Sequence, residues 1–131
     1  MKLLLDTHIV LAIINDTVSA LPKDIASLLS APENTMTCSV ASQLEIAIKS
    51  RLGKLYISCG LDELQPTCIK FGMAIMDITA AHVLAELADP PATRDPFDRL
   101  LLAQAQVETM RLVTIDKSMA GHPLAWAPVA G

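Results

Sequence analysis

Aromatic residues are almost absent, with one Trp, one Tyr and two Phe in 131 residues. A surface that grips nucleic acid by stacking bases on successive rings is therefore not on offer. Basic excess is lacking too: ten Lys and Arg stand against fourteen Asp and Glu, for a formal net charge of -4. No overall positive field draws the chain to nucleic acid or to an anionic membrane, so such a partner must be held locally, by a few cations or by metal ions. The longest apolar runs, such as Ile9 to Ile14, fall far below the ~20 residues needed to cross a bilayer. Lys2 and a short leucine run precede Asp6, which does not make a secretory signal, and a cytoplasmic location is expected. Cysteine is scarce: Cys38, Cys59 and Cys68 are an odd count without C-x-x-C spacing, which suits neither a disulfide framework nor a zinc site. They read as small buried apolar residues. His8, His82 and His122 are scattered, with no metal-ligand spacing among them.

What is present is apolar. Hydrophobic residues make up 52% of the chain and charged ones 18%, so the chain folds and has apolar surface left over for a partner. Its length predicts one domain, residues 1–131. Lys2-Leu3-Leu4-Leu5 reads as a strand buried on both faces, with Asp6 at its carboxyl end. A helical pattern follows over His8 to Ile14, and a second helix begins at Pro22 and ends near Pro32. Thr35 to Cys38 is β-prone; Ser39 or Ser42 then opens a helix through about Arg51, closed by Gly53. Leu61 to Phe71 is weakly helical and Ala74 to Ile78 reads as a strand. Thr79 caps a helix over Ala80 to Leu87, a further helix runs from about Asp95 to Thr109, and Arg111 to Thr114 is the last strand. Strands alternating with helices imply right-handed crossovers and a mostly parallel sheet covered on its faces. In that class ligands bind outside the carboxyl ends of the strands.

Four acids occupy related places in this pattern. Asp6 and Asp116 each end a strand and precede a helix, where a carboxylate serves equally well as N-cap or as metal ligand. Glu45 completes Ser42-Gln43-Leu44-Glu45, which matches a capping box, and stands four residues before Lys49, but its spacing from Ala41 and Ile48 puts it at the edge of the apolar stripe. Asp95 fits the N-cap of the Pro96 helix. Asp98 lies three, four and seven residues before Leu101, Leu102 and Ala105, so it tilts toward the core, where an acid needs a partner. Capping explains each acid alone and leaves their common direction unexplained. One acidic cleft explains it. Carboxylates held close either raise some of their pKa values or recruit a cation. Oxygen donors without Cys or His point to Mg²⁺ or Mn²⁺, and such an ion pairs naturally with phosphates, making phosphodiester hydrolysis the leading chemistry.

Leu3-Leu4-Leu5-Asp6-Thr7-His8, Ser42-Gln43-Leu44-Glu45 running on to Lys49-Ser50-Arg51-Leu52-Gly53-Lys54-Leu55, Arg94-Asp95-Pro96-Phe97-Asp98-Arg99-Leu100-Leu101 and Leu112-Val113-Thr114-Ile115-Asp116 together resemble the PIN-domain ribonucleases, most of all the VapC-type toxins of bacterial toxin-antitoxin pairs. The resemblance runs from Met1 to about Leu124. It implies a three-layer α/β/α sandwich, Mg²⁺- or Mn²⁺-dependent cleavage of RNA, a homodimer, and inhibition by a small VapB-type antitoxin. By position, Asp6, Glu45, Asp98 and Asp116 match the family's acidic quartet, Thr114 its strand-end Ser or Thr, and Asp95 an accessory acid. Leu44 and Thr93 depart from the pattern, standing where Trp and His are common. Lys49, Arg51, Lys54 and Arg99 are the nearest cations for an RNA backbone, and equally the makings of a solvated face. With so few rings, RNA choice is expected to rest on shape or single-stranded loops.

Two other classes compete. An aspartyl-phosphate phosphatase using Mg²⁺ would want a second Asp two residues after Asp6, where the chain has His8; a phosphoacceptor receiver would want an acid pair and a strand-end Lys that are not visible. A catalytically inactive PIN-like module binding RNA or protein would be expected to have lost an acid, and all four are present.

Overall fold

Three consecutive leucines make the first strand, and their alternation decides the architecture. In the computed structural model, which describes residues 1–128, β1 (Lys2–Leu5) turns Leu3 and Leu5 to one face and Leu4 to the other, all fully buried. Only a strand covered on both sides needs apolar residues at every position. The last three residues of the expected 1–131 domain lie outside the described residues.

The remaining elements follow in chain order: α1 (Thr7–Ile14), α2 (Lys23–Ser30), β2 (Thr35–Ser39), α3 (Val40–Arg51), α4 (Leu64–Lys70), β3 (Ala74–Met76), α5 (Ala80–Leu84), α6 (Pro96–Glu108), β4 (Arg111–Val113) and α7 (Lys117–Ala120). A short 3-10 turn at Val18–Ala20 links α1 to α2, and another at Leu61–Glu63 leads into α4, so that this second turn and α4 together make up the weakly helical stretch expected from Leu61. The strands pair in the order β3-β2-β1-β4, all parallel, with Leu4 opposite Thr37 on one side and Leu112 on the other. β1 is therefore central, and the expected mostly parallel sandwich is found as a wholly parallel one.

Two apolar layers flank the sheet. Leu3, Leu5, Cys38 and Val113 pack with Ile9, Val10 and Ile13 of α1, Ile46 of α3 and Cys68 of α4. On the opposite face Leu4 and Leu112 pack with Leu101, Leu102 and Ala105 of α6 and Met119 of α7. α3 contributes to both, Ile46 to the first layer and Ala41 to the second, and so bridges α1 and α6. Cys38 and Cys68 are buried as expected, their thiols in contact; that contact and burial push the Cys38 thiol far above its ordinary range.

Several boundaries differ from expectation for physical reasons. Ser39, not Ser42, caps α3: its hydroxyl accepts the Ala41 N–H at 3.0 Å, so Ser42 lies inside the helix and the Ser42–Glu45 capping box does not form. A capping box does form at α5, where Thr79 and His82 exchange bonds, and buried His82 also reaches Glu108. α5 stops at Leu84 because Ala85 turns extended. α6 stops at Glu108, and Thr109 takes a left-handed conformation at φ 54 that a β-branched residue rarely adopts. Gly53 closes α3 as expected, at φ 69. No helix among the described residues is long and apolar enough to cross a membrane.

Candidate active site

A parallel sheet directs the carboxyl ends of all its strands to one edge, and here that edge carries the acids. Asp6 follows β1 and caps α1, accepting the Thr7 N–H at 2.8 Å. Its backbone N–H donates to Val113 at the end of β4, which brings the two strand ends side by side. Thr114, buried just beyond β4, donates its hydroxyl to Asp6 Oδ2 at 2.7 Å. Burial pushes the Asp6 carboxyl above its ordinary range, against the pull of the Thr114 and Thr7 bonds; nearby Glu45 adds to the rise.

Glu45 enters from α3, whose bridging position carries it between α1 and α6. It is buried, with Oε1 accepting the Thr7 hydroxyl at 2.5 Å and Oε2 held 2.6 Å from the Lys49 ammonium one turn on. Ser42 joins from the same helix, its hydroxyl oxygen 3.2 Å from that of Thr7, whose one proton goes to Glu45. Asp98 points in from the first turn of α6, buried as its spacing to Leu101, Leu102 and Ala105 predicts. Its Oδ2 accepts the Thr93 hydroxyl at 2.9 Å. Burial, reinforced by the charges of Asp95, Asp6 and Asp116, lifts its carboxyl to about 6.

These residues open onto one cleft of ≈ 390 Å³. Asp6, Glu45, Asp95, Asp98 and Asp116 line it, against two lysines, Lys49 and Lys54, with His8 at the same wall. Asp95 caps α6 by accepting the Phe97 N–H at 2.8 Å, the role its position next to Pro96 predicts. Asp116 is different in kind. It is exposed at the cleft mouth and caps α7, and bonds from the Ser118 hydroxyl and N–H hold its carboxyl below the ordinary range.

The four acids singled out from the sequence are thus brought to one cleft, with Asp95 and Thr114 beside them. Of the four cations, Lys49 and Lys54 line it; Arg51 is exposed at the end of α3, and Arg99 borders a separate depression with His82 and Val83. Thr7, Ser42 and Thr93 were missed as partners of the acids. Only their nearness in sequence to Asp6, Glu45 and Asp98 hinted at them.

Donor chemistry fits a hard divalent cation. Buried carboxylates with little positive charge around them are costly, and an all-oxygen set suits Mg²⁺ or Mn²⁺. Among the described residues no three His, Cys, Asp or Glu side chains are already gathered closely enough to enclose an ion. Each buried acid is instead turned to its own donor: Asp6 to Thr114, Glu45 to Thr7 and Lys49, Asp98 to Thr93.

Among curated proteins none matches the chain. Seven solved chains match. They include VapBC2 from Rickettsia felis bound to a DNA fragment from their promoter, 21% identical, with 95% of this chain and 96% of that chain covered at a TM-score of 0.61. That likeness is one of fold. The PIN domain family model matches residues 3–122, a span that takes in β1 from Leu3, the three later strands and each of the cleft acids from Asp6 to Asp116, and the chain belongs to the PIN domain family.

Proposed function

We propose that the protein is a divalent-metal-dependent endoribonuclease, acting as the toxin of a type II toxin-antitoxin pair. The observation that carries the reading is the convergence of buried Asp6, Glu45 and Asp98, with Asp116 at the mouth, at the carboxyl edge of a parallel sheet. PIN membership and the fold shared with a VapBC2 protein support the toxin role.

Asp6, Glu45 and Asp98 would hold Mg²⁺ or Mn²⁺, with Asp116 completing a second site or ordering a water. Such a cation supplies neutralisation of a phosphodiester and activation of water for in-line attack. The protein's part is positioning. Thr114 and Thr93 fix one oxygen of Asp6 and of Asp98, and Lys49 and Lys54 supply the positive charge that a phosphate backbone meets on entering an otherwise acidic cleft. Arg51 and Arg99, away from the cleft, would contact a longer RNA or none. A homodimer and a VapB-type antitoxin partner complete the reading. Apolar residues exposed along α3 and just beyond it, Leu44, Ile48, Leu52 and Tyr56, would be surface for the antitoxin to cover.

Incubating purified protein with tRNA and rRNA in Mn²⁺, Mg²⁺ and EDTA tests this directly. Cleavage with either metal, none in EDTA, and none by a folded Asp6→Asn variant is the expected outcome. Cleavage undiminished in EDTA, or binding without cleavage by the wild type, would move the protein to another class.

A further inference from the structure

The chain builds the same small device twice. Thr114-Ile115-Asp116 and Thr93-Arg94-Asp95 each place a threonine two residues before an aspartate that caps a helix, α7 in one case and α6 in the other. In both, the threonine hydroxyl accepts the backbone N–H of that aspartate, at 3.0 Å for Asp116 and 3.1 Å for Asp95. In both, the same hydroxyl donates to an acid lining the cleft: Thr114 to Asp6 Oδ2 at 2.7 Å, Thr93 to Asp98 Oδ2 at 2.9 Å. With a lone pair committed to the N–H, the hydroxyl proton is aimed at the carboxylate.

We infer that Thr93 is a positioning residue for Asp98, the counterpart of Thr114 for Asp6; the inference rests on the reading of the cleft as a metal-dependent nuclease site. The Thr93 bond fixes one oxygen of Asp98, so the carboxyl plane and its other oxygen are set before any cation arrives. Asp95 fixes the backbone of the same residue by accepting the Asp98 N–H at 3.4 Å, beside its shorter bond to Phe97. Side chain and main chain of Asp98 are thus both referred to the loop at residues 93–95. A hydroxyl suffices for this task. Groups that orient a ligating carboxylate are commonly worth 10- to 100-fold in metal affinity.

Thr93→Val keeps the shape and removes the hydroxyl; Thr93→Ser keeps the hydroxyl and removes a methyl. Mn²⁺ affinity is measured by titration calorimetry without RNA, and kcat and KM are measured on tRNA in saturating Mn²⁺. Thr93→Val is expected to bind Mn²⁺ about tenfold more weakly and to lose kcat with KM little changed, while Thr93→Ser restores both. A Thr93→Val protein that melts lower but keeps wild-type Mn²⁺ affinity and kcat overturns the inference and leaves Thr93 as loop support. Failure of Thr93→Ser to restore affinity overturns it as well. If the wild type binds no Mn²⁺, the reading of the cleft itself falls and takes the inference with it, an outcome distinct from the first two.

Discussion

The Lys49 ammonium lies 2.6 Å from Glu45 Oε2, one turn along the same helix, and so places a fixed positive charge among the acids of the cleft. Its own pKa is raised, first by the bond to Glu45 and further by the fields of Asp95 and Asp98, although burial works the other way. A tethered cation of this kind competes with a divalent one for the same oxygen. Lys49→Met should therefore lower the melting temperature in EDTA slightly, in line with the ~0.3–0.5 kcal/mol typical of an i,i+4 helix pair. It should also gain more from Mn²⁺ than the wild type does. Melts of both proteins in EDTA and in Mn²⁺ check this; an equal gain would show that Lys49 does not oppose the metal.

Asp98 is expected to make the metal-free protein less stable as pH rises. Its folded carboxyl titrates at about 6 against 3.8 for the free group. The native state thus holds the proton more tightly than the unfolded one, and this contribution is fully present below 3.8 and is lost as pH rises through about 6. Asp6 shifts in the same direction. Melting temperatures between pH 4 and pH 7.5 in EDTA should show wild type losing ground to Asp98→Asn across that window. Parallel curves would mean that Asp98 is more solvated than its burial implies.

Thr114→Val removes a donor from the buried Asp6 carboxylate and an acceptor from the Asp116 N–H. A hydrogen bond to a charged group is worth ~1.5–3 kcal/mol, so a fall of several degrees in Tm is expected, with Thr114→Ser close to wild type. Calorimetric melts of the three proteins decide it.

Thr109 offers the opposite sign. It is exposed at the end of α6, with φ 54. Left-handed backbone costs a non-glycine residue ~1–2 kcal/mol, part of which glycine returns through its freer unfolded chain. Thr109→Gly should raise Tm by a few degrees; a lower Tm would place the strain elsewhere.

Much of the cleft was legible because its acids interrupt patterns. Asp6 and Asp116 stop apolar strands, and Asp98 sits where α6 should be apolar, so each stood out against a period of two or 3.6. The hydroxyls did not stand out, since a Thr beside a helix start is ordinary and its partner is set by the fold. Thr7 finds Glu45 38 residues away, and Thr114 finds Asp6 108 residues away. Ser42 misled for a related reason: Ser39 and Ser42 both suit a cap, and only the end of β2 at Ser39 decides between them. The sequence suggests a longer α5 because Val83, Leu84, Ala85 and Leu87 are apolar, yet Val83 and Leu84 are exposed and the chain leaves the helix at Ala85.

The central place of β1 also sets a schedule. Leu3 to Leu5 are made more than a hundred residues before β4, and one side of that strand stays unpaired until Arg111–Val113 is available to join it. Long-range parallel pairing of this kind forms late and slowly. Asp6 acquires Thr114 only at that moment, and the Asp116 wall arrives with it. A nascent chain still short of β4 therefore carries no finished cleft, however much of the sheet it has built. On the reading proposed above, hydrolysis waits until β4 and the Asp116 turn have been made and docked beside β1.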